Sequence, residues 1–333
     1  MKAFDFEEEK ILAEIITRAP KRVLLQLPEG LKSEAPNISK IIEKVGVLPI
    51  ISGDPCYGAC DLPEAEVERF DIDLILHFGH SKMIKNEKVS TIYVAVKSTA
   101  KITKTMENSL RLLKDYTKIG LVTTIQHLQT LKSVQDLLIN AGKTVFIGNS
   151  DQMLCRGQVT GCNYSNVKCI ADKVEVFLFI GGGNFHALGV ALNITKPTIQ
   201  VNPFNQKVNL LNLKVNKLLQ KHWDLIQKAK KAKNFGIFVS LKPGQENFKN
   251  ALKIKKIIEK IGNCAVIILV REILPEVLMQ FPTIDAYVNT ACPRISFDDP
   301  LKFLRPVLSI NEFKVLSGEC SWEEIIKIGL FEK

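Results

Sequence analysis

Short apolar and β-branched runs alternate with helical stretches in the same rhythm three times along this chain, and that recurrence constrains the fold more than any other feature. Arg22–Leu27 reads as a strand ended by Pro28-Glu29-Gly30, residues 31–45 as a helix, and Val47–Ile51 as a second strand. Asp73–His77 and Thr91–Val96 supply two more. The pattern restarts with Lys118–Thr123, a helix to residue 140 and Thr144–Ile147, and closes with Val176–Ile180 and Thr198–Val201. A third copy runs through Phe235–Val239, a helix over 246–261, Ala265–Val270, Ile284–Val288 and Pro306–Ile310.

Strand, helix and strand in succession mark a parallel sheet covered by helices. A repeat of roughly 100 residues is a repeated domain, since solenoid periods run about 20–50. The expected fold is therefore α/β: three pseudo-threefold-related domains, each a mainly parallel four-stranded sheet flanked by helices. Their expected bounds are 1–103, 104–205 and 206–333, within the two or three domains that 333 residues allow. Such sheets place ligands in the loops after the carboxyl ends of their strands.

Those loops carry the unusual sequence. The first domain has Gly53-Asp54-Pro55-Cys56-Tyr57-Gly58-Ala59-Cys60-Asp61, and the second has Arg156-Gly157-Gln158-Val159-Thr160-Gly161-Cys162-Asn163. The third has Asn289-Thr290-Ala291-Cys292-Pro293-Arg294. In each, a cysteine sits among small or turn-forming residues that let backbone approach a bulky inorganic group. A pseudo-threefold would bring Cys60, Cys162 and Cys292 to one point on its axis. Three thiolates there suit an iron–sulfur cluster with one iron lacking a protein ligand. A structural zinc would want four protein ligands. By spacing alone, three unrelated buried cysteines remain an open alternative.

The chain has eight cysteines in all. Its acidic start, Met1-Lys2-Ala3-Phe4-Asp5-Phe6-Glu7-Glu8-Glu9, lacks the basic flank and apolar run of a secretory signal. No apolar stretch approaches the roughly 20 residues that cross a bilayer, so a cytoplasmic protein with no membrane partner is expected. There disulfides are rare, and each cysteine is expected to be a buried apolar residue or a metal ligand. Cys56 and Cys60 begin a C-x-x-x-C-x-x-C run like that of ordinary radical S-adenosylmethionine enzymes, but Pro63 breaks it. Cys56 is thus read as a packed loop residue, and Cys155, Cys169, Cys264 and Cys320 as structural.

The net charge of +10 fits a lysine-rich solvated surface or steering toward an acidic partner. The longest basic cluster, Lys228-Ala229-Lys230-Lys231-Ala232-Lys233, has no interleaved aromatics, so no direct nucleic-acid site is read from it.

Eight segments in order resemble the diphthamide-synthesis family, specifically the archaeal homodimeric 3-amino-3-carboxypropyl transferases. They are Leu25-Gln26-Leu27-Pro28-Glu29-Gly30-Leu31, Cys56-Tyr57-Gly58-Ala59-Cys60-Asp61, His77-Phe78-Gly79-His80 and Thr123-Thr124-Ile125-Gln126-His127. They continue with Gly157-Gln158-Val159-Thr160-Gly161-Cys162-Asn163, Gly181-Gly182-Gly183-Asn184-Phe185-His186, Lys242-Pro243-Gly244-Gln245 and Asn289-Thr290-Ala291-Cys292-Pro293-Arg294.

The resemblance implies that Cys60, Cys162 and Cys292 bind a 4Fe-4S cluster whose open iron S-adenosylmethionine approaches. It implies reductive cleavage giving methylthioadenosine, and transfer of the 3-amino-3-carboxypropyl group to a histidine of elongation factor 2. A homodimer and an external electron donor are implied with it. Some relatives carry a second cysteine where this chain has Asp61, a change that removes no ligand.

Several residues could hold the substrate. Gly181, Gly182 and Gly183 can offer backbone N–H groups to a carboxylate, with Asn184 beside them. Gln126 and Gln245 can bond ribose, adenine or the amino-acid end. Lys242 or Arg294 could pair the carboxylate, the latter through two parallel bonds. His80, His127 and His186 are candidates for lining the pocket, and His77 reads as a hydrogen-bonded structural residue. No catalytic residue beyond the cluster is singled out. Two other readings fit the architecture: a lyase like quinolinate synthase, and a non-catalytic electron-relay subunit.

Overall fold

The computed structural model describes residues 3–150, 152–298 and 302–330. The outer ends of the expected first and third domains, including Met1 and Lys2, lie outside them. The chain divides into two compact units. One holds residues 1–101 with Ile125–Gln129; the other holds Ile102–Thr124 and the chain from Thr130 onward. No helix among the described residues is long and apolar enough to cross a membrane.

In the first unit β1 (Phe4–Asp5) pairs antiparallel with β6 (Lys97–Ser98). The main sheet contains β2 (Arg22–Gln26), β3 (Leu48–Ile51), β4 (Leu74–Phe78) and β5 (Thr91–Val94), in the order β3-β2-β4-β5. All its pairings are parallel. The second unit contains two sheets. One joins β7 (Lys118–Thr123), β8 (Thr144–Phe146), β9 (Val176–Ile180), β10 (Thr198–Asn202) and β11 (Lys207–Leu210), in the order β11-β10-β9-β7-β8. The other joins β12 (Asn234–Ser240), β13 (Cys264–Val270), β14 (Ala286–Asn289) and β15 (Val307–Ser309), in the order β13-β12-β14-β15.

All three sheets therefore repeat one parallel topology, second strand–first–third–fourth. Burial follows it. The third strands β4, β9 and β14 are buried throughout, as central strands covered on both faces must be, whereas the edge strands β3, β8 and β13 are partly exposed. Three strands were not legible from apolar runs, β1 among them with only two residues. β6 is two residues long, and β11, Lys-Val-Asn-Leu, is an antiparallel edge added to the second sheet. The expected strand over 306–310 stops at Ser309, whose hydroxyl caps the helix Ile310–Ser317.

One acidic residue stands at the same place in each copy. Asp73 precedes β4, and its Oδ2 accepts the backbone N–H groups of Lys21 and Arg22 at 2.7 and 2.8 Å. Glu175 precedes β9 and accepts those of Thr117 and Lys118 at 2.6 and 3.0 Å. Asp285 precedes β14 and accepts those of Lys233 and Asn234 at 3.0 and 2.9 Å. Each carboxylate thus ties the start of a third strand to the start of its first. The bonds from backbone N–H hold all three below their ordinary pKa values.

A second device recurs in the last two sheets. Gly120 of β7 faces Phe177 of β9, and Gly236 of β12 faces Tyr287 of β14. A Cβ at either glycine would lie 2.6 Å from the aromatic ring, so only glycine lets the ring cover the first strand. Within the second unit one core runs from Val122, Phe177 and Phe179 to Phe297, Ile325 and Leu330, so the C-terminal helices pack against the second sheet.

Candidate cluster and substrate site

The cysteines are not uniformly buried. Cys56 is buried, Cys60, Cys162, Cys292 and Cys320 are half-buried, and Cys155, Cys169 and Cys264 are exposed. For the last three, the expectation of a buried apolar residue is corrected. Cys155 lies in a loop, Cys169 follows the four-residue helix Ser165–Lys168, and Cys264 opens the edge strand β13.

In the first unit, the loop after β3 and the loop after β4 meet above the carboxyl ends of the strands. The Cys60 loop is pinned from below. Cys56 N–H donates to Glu29 Oε1 at 3.0 Å, and Gln26 Nε2 donates to the Asp61 carbonyl at 2.6 Å. A Cβ on Gly58 would lie 3.3 Å from Cys60 Sγ and 4.0 Å from Met83 Sδ, so the glycine leaves room beside the thiol.

His77, fully buried at the end of β4, has Nδ1 2.7 Å from Gln26 Oε1 and Nε2 3.0 Å from Nδ1 of half-buried His80. Burial, with His80 beside it, pushes the His77 pKa well down. Donor atoms of Cys56, His77 and His80 all lie within 4.8 Å of one another, a spacing a cation could use. Both nitrogens of His77 are engaged, by Gln26 and His80, and burial followed by the Asp61 carboxylate pushes the Cys56 thiol up to about 12. Gln126 and His127 belong to the same unit. Gln126 Nε2 donates to the Gly79 carbonyl, which anchors the turn before His80. His127 is buried, and that burial lowers its pKa to about 4.

In the second unit the Cys162 loop extends β7. Thr123 N–H donates to Gly157 at 2.9 Å, and Val159 N–H donates to the Thr123 carbonyl at 2.8 Å. Asn163 Oδ1 accepts from Ser165 N–H at 3.0 Å, closing the turn after the cysteine. Cys292 sits between β14 and the helix Pro293–Asp298. Asn289 Nδ2 donates to its carbonyl at 2.8 Å, and Thr290 Oγ1 donates to the Phe238 carbonyl at 2.6 Å. Thr160 Oγ1 is 3.9 Å from Cys162 Sγ.

Both loops reach one aromatic ring. A Cβ on Gly161 would lie 2.4 Å from Phe185, and the guanidinium carbon of Arg294 stands 4.9 Å from the centroid of that ring. Phe185 opens the helix Phe185–Leu192 after the Gly181-Gly182-Gly183-Asn184 turn. The sequence reading overlooked it because an aromatic in an apolar helix resembles ordinary core. Gly183 has φ of +69° and open space around it, while Gln200 Nε2 donates to its carbonyl. Gly182 packs against Phe204, Asn184 is exposed, and His186 stacks on Phe179 at 6.5 Å. Lys242 and Gln245 are buried at the end of β12, and Lys242 Nζ is already paired with Glu272 Oε1 at 2.6 Å. Arg294 is exposed.

Comparison with known proteins agrees with this geometry. The profile of the "Putative diphthamide synthesis protein" family matches residues 27–327. A 2-(3-amino-3-carboxypropyl)histidine synthase from Pyrococcus horikoshii is 34% identical over 327 residues, covering 97% of this chain and 94% of that protein. Subunit 1 of the synthase from Candida glabrata is 30% identical, over 94% of this chain and 74% of its own length. The crystal structure of Dph2 from Pyrococcus horikoshii with a 4Fe-4S cluster superposes with a TM-score of 0.89 at 33% identity, covering 99% of this chain and 95% of that one. A second crystal structure of that protein gives 0.90. With the three repeated sheets and cysteine loops described above, these matches show that the chain belongs to the diphthamide synthesis protein family.

Proposed function

We propose that this chain is a 2-(3-amino-3-carboxypropyl)histidine synthase: it transfers the 3-amino-3-carboxypropyl group of S-adenosylmethionine to a histidine of elongation factor 2. The observation that carries the reading is the meeting of the Cys162 and Cys292 loops at Phe185, in a chain that shares its family and most of its length with such synthases. Cys60, Cys162 and Cys292 would supply three thiolates to a 4Fe-4S cluster, one from each of the domains 1–103, 104–205 and 206–333. The donor set fits: each of these residues is half-buried on a loop fixed by its own hydrogen bonds, and Gly58 and Gly161 stand close to Cys60 and Cys162.

When bound, such a cluster supplies an electron to a sulfonium. The protein's part is orientation, since the carbon placed opposite the approaching electron decides which carbon–sulfur bond opens. Arg294 is the better partner for the substrate carboxylate, because the Lys242 ammonium already faces Glu272. The N–H groups of Gly182, Gly183 and Asn184 can add to it, and Gln126, His127, His186 and Gln245 are further candidates for lining the substrate site. A second copy of the chain and an external electron donor complete the proposed cytoplasmic assembly.

The test is anaerobic reconstitution, chemical reduction, and incubation with S-adenosylmethionine and elongation factor 2. Release of methylthioadenosine and a matching mass gain on the factor are expected. A fully loaded chain that yields neither overturns the proposal.

A further inference from the structure

Asn289 ends β14, an inner strand of its sheet, in register with Phe238 of β12 on one side and Ser309 of β15 on the other. Its side chain is buried, and its bonds fix its orientation. Oδ1 accepts from Ala291 N–H at 3.0 Å, while Nδ2 donates to the Cys292 carbonyl at 2.8 Å and to Ser296 Oγ at 3.1 Å. A backbone N–H only donates and a carbonyl only accepts, so the amide can face them in one way alone. Ile295 N–H donates to the same Cys292 carbonyl at 3.2 Å. Pro293 further restricts the backbone of the residue before it. The chain is thus held on both sides of Cys292, and rotation about Cα–Cβ is the chief freedom left to its thiol.

This support belongs to the third sheet. Cys60 and Cys162 lie in loops after the second strands β3 and β8, whereas Cys292 lies in the turn after the third strand β14. The repeated topology therefore does not deliver all three cysteines through one kind of loop, and Cys292 requires a device of its own. His77 and Phe179 hold the places in β4 and β9 that Asn289 holds in β14. We infer that Asn289 is a positioning residue: its side-chain amide sets the Cys292 thiol in place for an iron of the cluster. Groups that orient a metal ligand commonly govern how firmly the metal is held. The inference rests on the proposed function, in which Cys292 supplies one of three thiolates.

Asn289→Ser tests it, because a serine hydroxyl can still accept from Ala291 N–H, as in such turns generally, but does not reach the Cys292 carbonyl. Cluster-loaded, oxidised protein is treated anaerobically with iodoacetamide, and the alkylation rate of each cysteine is read by mass spectrometry of its peptide. Cys292 of the variant is expected to react about tenfold faster than in wild type, the equivalent of one lost hydrogen bond, with Cys60 and Cys162 unchanged within about twofold. Ser296→Ala, which removes the other acceptor of the same amide, should leave Cys292 as protected as in wild type. Cys292 protected to within about twofold in Asn289→Ser, or equally fast reaction at all three cysteines, overturns the inference alone. So does the same loss in Ser296→Ala, or an Asn289→Ser chain that does not fold, since either makes Asn289 a general structural residue. A wild type whose Cys292 reacts as fast when loaded as when iron-free overturns the ligand assignment and the inference with it.

Discussion

Gly161 and Phe185 are in contact so close that a single methyl group on the glycine would lie 2.4 Å from the ring. The same ring carries Arg294 at 4.9 Å, so the Cys162 and Cys292 loops both touch one side chain. Gly161→Ala must displace Phe185 or the Cys162 loop. Overpacking of this kind costs about 1–3 kcal/mol. A lower Tm and a reduced iron content are expected together, measured by thermal unfolding and iron analysis of the reconstituted protein. Phe185→Leu, which relieves the clash but leaves Arg294 without a ring, should restore stability to Gly161→Ala without restoring full iron content.

The cysteines should separate into two classes. Cys60→Ala, Cys162→Ala and Cys292→Ala are each expected to lose most iron and sulfide after anaerobic reconstitution. Cys56→Ala should keep both, because the buried Cys56 thiol is held in its protonated form. Equal iron loss in Cys56→Ala would overturn the ligand assignment.

The three strand-start carboxylates give acid sensitivity of a definite sign. The folded pKa of Asp73 and Asp285 lies below the ordinary 3.8, and that of Glu175 below 4.5. The folded state therefore binds fewer protons, and stability rises with pH across this window. Their contribution is fully present above the ordinary values and is lost as pH falls through the folded ones. Asp73→Asn, Glu175→Gln and Asp285→Asn should each flatten the acid limb of a Tm–pH curve, with little change near neutrality beyond a lower plateau. An acid limb that keeps its wild-type slope in the triple variant counts against the clamp.

Buried histidines act at higher pH. His127 has an ordinary value of 6.5 and a folded value of about 4, lowered by burial. Below 6.5 the unfolded chain takes up a proton that the folded one refuses, so stability falls as pH drops toward 4. His77 adds to the same slope, since burial also holds it well below 6.5. His127→Gln should reduce the loss of Tm between these limits; an unchanged slope would show that the ring is solvated.

What was legible in the sequence is what rests on local pattern. Lys118–Thr123, Val176–Ile180 and the helix ending at Asn140 are read at or near their observed bounds because apolar runs and helix periodicity are short-range signals. β11 was not, since Lys207-Val208-Asn209-Leu210 has no apolar run and becomes a strand only by pairing with β10. The Gln26–His77 contact spans 51 residues of chain, and Lys242–Glu272 depends on how two strand ends meet, so neither leaves a local trace. Cys60, Cys162 and Cys292 stood out because glycine, proline and cysteine mark loops with little tolerance for side chains. Phe185 did not, because its partners lie in two other loops.

The clamps of Asp73, Glu175 and Asp285 join residues 52, 58 and 52 positions apart, always inside one copy of the sheet. Each sheet accordingly carries its own ruler: alignment of first strand with third is settled by one side chain belonging to that copy. A slip of register in one sheet would leave the other two undisturbed. The loops that must eventually cooperate are thus each built on a base that was measured independently.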